Sequence, residues 1–175
     1  MEKKEKQSLS DYAKEIFATQ TGIEECAILF ENLKQAVPFF ESVPPEKFRQ
    51  EFLCLRLALT CFSWGQLCAD YGLEDPAMTK AFLKVVTDSF QTPKSLGIAA
   101  VFSEYYQSPS LEDAPSPVIA LAVHFLGRLV AKRSEIEKDV SASLFPIVQA
   151  LESLRTSFEN EFFQFLDVRR QSGIL

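Results

Sequence analysis

The stretch PEKFRQEFLCLRLALTCFSWGQLCADYG, Pro45 to Gly72, decides how this chain is read. Within it Cys54, Ala58, Cys61, Gly65, Cys68 and Gly72 follow one another in steps of four, three, four, three and four. That rhythm puts all six on one face of an α-helix, because side chains three and four positions apart stack above one another. A face made of Cys, Ala and Gly alone is smooth, so these six residues are read as a seam for close helix–helix packing. Around the same helix Leu53, Leu57 and Trp64 border the seam on one side, and Phe48, Leu55 and Phe62 on the other. Arg56, Thr60, Ser63, Gln66 and Asp70 form a polar wedge across the axis. Pro45 suits the first turn, where its missing N–H would have no partner anyway. Gly72 suits a left-handed C-cap.

Outward from this helix, prolines and glycines divide the chain into further helical segments. Ser10-Asp11 cap a helix to about Gln20, and after Gly22 a second carries Ile23, Ala27, Phe30, Leu33 and Val37 as far as Pro38. Asp75-Pro76 opens another, with Met78, Ala81, Phe82, Val85 and Val86 as its apolar stripe. Thr92-Pro93 opens the next, which carries Leu96 to Phe102. Residues 108–115 read as a surface loop. Ser116-Pro117 cap an apolar helix over about 117–133. Beyond Lys132 the chain turns polar, and Pro146 marks a new start or a kink. In the last helix Ile147, Leu151, Leu154, Phe158, Phe162 and Phe165 share a face, with Phe163 turned away from it. Alternating apolar–polar runs and hairpin dipeptides are missing. The reading is all-α: a single-domain bundle of about seven or eight helices around two apolar central ones, about 45–71 and 117–133. Residues 1–7 read as a charged leader without a signal-peptide core, 8–172 as the domain and 173–175 as a tail.

A length of 175 residues supports one domain with a substantial core. Phenylalanine dominates its aromatics, 16 against one Trp and four Tyr, which favours a dry interior with few polar atoms to satisfy. The net charge of −6 argues against nucleic acid and against anionic membrane surfaces, both of which need a concentrated basic face. Phe52 to Ala69 carries a single full charge, Arg56, but it falls short of the ~20 residues that cross a bilayer. A soluble core helix is the preferred reading, with a membrane-active helical domain as the lesser alternative.

The four cysteines do not point to redox or metal chemistry. Cys54, Cys61 and Cys68 are spaced by two helical turns, roughly 10 Å, too far apart to pair with one another. They cannot converge on one ion, and their spacing differs from that of zinc sites. Free thiols in a reducing cytoplasm fit better. With a single histidine no His-rich metal site forms, and Leu121 stands where a di-iron Glu-x-x-His motif needs Glu. Neither familiar glycine-rich phosphate loop is present. No metal and no cofactor is expected.

Two places carry polarity into the apolar helices. His124 and Arg128, four residues apart, form the polar strip of the 117–133 helix. Together with Arg56 they are candidate anchors for an anionic ligand in an apolar pocket. The bland alternative is an arginine paired with a carboxylate from another helix. A Cys–His nucleophile would require Cys54 or Cys61 to meet His124. The leading functional reading is a non-catalytic cytoplasmic protein–protein interaction module: an adaptor, a regulatory subunit or a homodimer. The alternative is a small-molecule binder anchored by His124 and Arg128.

Overall fold

The computed structural model describes residues 24–72, 80, 84, 96–107, 116–130 and 133–171. Among them the chain is all-α, with no strand. Five α-helices follow in order: α1 (Glu24–Ala36), α2 (Pro45–Asp70), α3 (Leu96–Tyr106), α4 (Pro117–Leu129) and α5 (Arg133–Gln171), with a short 3-10 helix, Pro38–Ser42, between the first two. The helix expected over 10–20, most of the one expected from Pro76, the 108–115 loop, the leader and the tail lie outside the described residues. Lys80 and Lys84 are helical and exposed.

Helix α2 is the organising element and packs against each of the other four described α-helices. It begins with Pro45 in the first turn after extended Pro44, and ends where Gly72 takes a φ of +64°. That left-handed conformation is cheap only without a Cβ. The first half of α2 is wrapped in rings. Phe48 stacks on Phe30 of α1 at 4.4 Å and meets Phe125 of α4 edge-on at 5.5 Å. It also contacts Phe40 of the 3-10 helix at 6.2 Å and Phe52 at 5.9 Å. Burying each such side chain contributes about 1.5–3 kcal/mol, and the edge-on pairs add to that. Further along, Trp64 meets Phe162 of α5 at 5.5 Å, and Phe62 stacks on Tyr106 of α3 at 5.4 Å.

Two helix boundaries depart from expectation. The helix opened by Pro117 stops at Leu129 rather than near 133, with Val130 extended at φ −87°, ψ 123°. No glycine or proline marks that end, so nothing local announced it. Ser116 stands at the N-cap position of α4, but its side chain makes no capping hydrogen bond. Pro146 starts nothing: it lies inside α5, which runs unbroken from Arg133 to Gln171. A proline inside a helix loses one backbone bond and crowds the preceding turn. Here Ile147 and Leu151, both fully buried, bind the following turns to the core. The expected α5 face is buried at Ile147, Leu151, Phe158 and Phe162 and half-buried at Leu154. The side chain of Phe165 lies outside the described residues.

By length and composition α2 is able to cross a membrane, the sole such helix among the described residues. Its most apolar 18-residue window has a mean hydropathy of 1.4 and is 72% buried within the chain itself.

Candidate functional site

The polar strip of α4 meets α2 and α3 in one connected network. Arg128 Nε donates to Glu51 Oε2 of α2 at 2.7 Å, and Arg128 Nη1 pairs with Glu104 of α3. The Tyr105 hydroxyl donates to the same Glu51 oxygen at 3.0 Å. Glu51 is only 4% exposed. A carboxylate so deep needs both a counter-charge and hydrogen bonds, and Arg128 and Tyr105 supply them. The guanidinium also lies 5.9 Å from the centre of the Tyr105 ring. Its bond to Glu51 raises the Arg128 pKa further and holds the residue charged. The Tyr105 phenol is pushed well above its usual value, first by burial and then by the adjacent Glu51.

His124 stands one turn before Arg128 and meets the Tyr105 ring edge-on at 4.8 Å. Its Nε2 is buried, with no hydrogen-bond partner among the described residues. Burial, followed by the nearby Arg128 charge, lowers its pKa, while Glu104 and Glu51 pull the other way. The balance favours the neutral imidazole. Arg56 belongs to a different environment. It is 4% exposed, its guanidinium lies 5.9 Å from the Phe52 ring centre, and its charge acts on Cys26 of α1. Of the three proposed anchors, His124 and Arg128 come together, and Arg56 points to the α1 side of α2.

Residue-level reading of the sequence missed Glu51 and Tyr105. Glu51 had a signal: it stands three residues before Cys54, at the head of the small-residue line, where an acidic group entering the same face calls for a cation. Tyr105 had none, since one tyrosine in an apolar run resembles any other core aromatic.

Along the small-residue line the environment changes. Cys54, Ala58, Cys61 and Cys68 are buried, whereas Gly65 is half-exposed and Gly72 exposed. A Cβ placed on Gly65 or Gly72 would meet nothing within 4 Å, so no neighbouring backbone presses on either glycine. All four cysteines are free thiols. Burial pushes them up from the usual 9.0, to about 11 for Cys26 and Cys68 and about 12 for Cys54 and Cys61. Glu51 raises Cys54 further, outweighing Arg128. A thiol this hard to ionise is a poor nucleophile at neutral pH. Among the described residues no group of three or more His, Cys, Asp or Glu is placed to hold a metal ion.

On the outside, Ile119 and Val123 of α4 are 39% and 51% exposed, and the exposed Gly127 continues their row at the same four-residue spacing. The opposite face of α4, with Leu121, Ala122 and Phe125, is fully buried. Phe145 of α5 and Ile28 of α1 are 63% and 62% exposed. Phe163, expected to point away from its helix stripe, is half-buried and meets Tyr71 edge-on at 5.3 Å.

Comparison with protein-family models, curated proteins and solved structures gives no significant match.

Proposed function

We propose that this chain is a non-catalytic, cytoplasmic α-helical interaction module whose docking surface is the outer face of α4. The observation that carries this reading is the Ile119–Val123–Gly127 row, large apolar side chains ending at a glycine on a helix already anchored by its other face. A row of this kind fits a partner helix or apolar strip better than it fits water. The interior chemistry supports the same reading. Arg128 is engaged by Glu51 and Glu104 rather than turned toward a ligand, and the thiols are held neutral. Four free cysteines suit a reducing compartment. In this proposal further helices over 10–20 and from Pro76 complete a bundle of seven or eight.

Site-specific photo-crosslinking in cells tests the proposal. A benzophenone side chain at position 123 is expected to give discrete protein adducts, either a partner or a second copy of the chain. The same group at Gln149, an exposed polar position on α5, is expected to give few. Equal, diffuse labelling from both positions would remove α4 as the docking surface. Light scattering across a concentration series then separates self-association from binding to another protein.

A further inference from the structure

A cleft of about 440 Å³ opens between the second half of α2, the first turn of α4 and the middle of α5. That volume is in the range that takes a small organic ligand. Its floor is apolar: Leu59, Phe62 and Leu67 from α2 and Val118 from α4. Ser63 lines it too and is only 7% exposed. One turn earlier, Thr60 satisfies its hydroxyl on the Arg56 carbonyl at 2.9 Å. The Ser63 hydroxyl, able both to donate and to accept, is a polar group on the wall of an otherwise apolar stretch of the cleft.

The rim decides what kind of partner fits. Arg155 is the cation among the described lining residues, and its Nε and Nη2 both donate to Glu152 at 2.9 Å. Its Nη1 lies 3.8 Å from Glu159. Gln66 Nε2 donates to Asp70 Oδ1 at 2.8 Å, which leaves the Gln66 carbonyl oxygen as an acceptor. The groups still able to bond are therefore mostly acceptors: Asp70, Glu159, the Gln66 carbonyl and the Ser63 hydroxyl. Among the described lining residues, Asp70 and Glu159 against Arg155 give a formal charge of −1, within a chain of −6. The last turn of α2 ends beside Asp70, and a helix C-terminus favours a cation. The first turn of α4, of opposite polarity, reaches the cleft at Pro117 and Val118.

From these observations we infer that the cleft is a binding site for a small amphipathic amine. Its ammonium group is held at the Asp70 end by carboxylate and amide oxygens, and its apolar body lies along Leu59, Phe62, Leu67 and Val118. Ser63 serves as the buried hydrogen-bond partner. This site is independent of the outer face of α4, so either assignment stands or falls alone.

Calorimetric titration of the full chain with 2-phenylethylamine tests it, with 3-phenylpropanoate and 2-phenylethanol as matched anionic and neutral probes. The amine is expected to bind about tenfold or more tightly than either control, as one charge-assisted contact is worth. Amide NMR shifts should centre on Ser63, Leu67 and Val118. Asp70→Asn is expected to weaken the amine by about tenfold, and this exposed position leaves the melting temperature nearly unchanged. Arg155→Ala removes the competing cation from Glu159 and is expected to tighten binding, which simple loss of structure would not do. The inference is overturned if millimolar amine does not bind, if the carboxylate binds as well, or if Asp70→Asn leaves affinity unchanged.

Discussion

The two halves of α2 share one helix and one line of small residues, yet they do different things. In the first half, Glu51, Cys54 and Ala58 face a sealed interior, where the carboxylate is matched by Arg128 and Tyr105 and rings from α1 and α4 close the surroundings. In the second half, a Cβ added to Gly65 would meet no other described group within 4 Å, and the polar wedge borders an open cleft. A smooth helical face is a permission for close packing and not a cause of it. What closes the first half is the supply of partners: aromatic rings on α1, the 3-10 helix and α4, and an arginine on α4 itself.

The largest expected effect lies in the sealed half. Arg128→Met leaves the buried Glu51 carboxyl without its cation and should cost about 3 kcal/mol or more, read from urea unfolding. Glu104→Gln removes the exposed partner of the same arginine and should cost under about 1 kcal/mol; equal losses would mean that burial of Glu51 is not what matters. Ala58→Leu forces a large side chain into a position with no exposure, with an expected cost of about 2 kcal/mol. Tyr105→Phe strips one hydrogen bond from the buried carboxylate, for about 1.5 kcal/mol.

At Gly65 the sign reverses. With no atom within 4 Å of an added Cβ, Gly65→Ala should stabilise the chain by about 0.5–1 kcal/mol through helix propensity and the unfolded state. Destabilisation there would show that the halves are alike after all. The smallest effect is an alkaline one. The Cys61 thiol ionises from 9.0 when unfolded but only near about 12 in the fold. Its contribution is therefore complete below pH 9 and lost as pH rises from 9 toward 12, so a scan to pH 10 meets only the start of the decline. Cys61→Ala should flatten that slope, and an unchanged slope would place Cys61 in contact with solvent.

Much of the fold was legible because its signals were local. Pro45 and Gly72 bound α2 within two residues of the expected span, since one pre-sets helical φ and the other permits the left-handed cap. The four-three rhythm of the apolar positions gave α2 and the buried face of α5. Other features were illegible for the same reason in reverse. The stop at Leu129 carries no glycine or proline, and the passage of α5 through Pro146 defies the local preference. In both cases packing outweighs propensity, and packing partners are not written beside the residues they serve. Within the polar network His124 and Arg128 stood out as polar residues in an apolar helix, whereas Glu51 and Tyr105 acquire meaning only through residues 77 and 54 positions away from Glu51.

By itself, the sequence determined an all-helical chain, the extent of its central helix and a set of thiols unable to pair along that helix. Period, proline and glycine act over a few residues, and a linear reading captures that range. Only the tertiary structure decided that Arg128 answers Glu51, that the small-residue line is sealed at Ala58 and unopposed at Gly65, and that a cleft opens beside Ser63. Each of these depends on which distant surfaces meet, and that is set by the sum of burial and charge pairing over the whole chain.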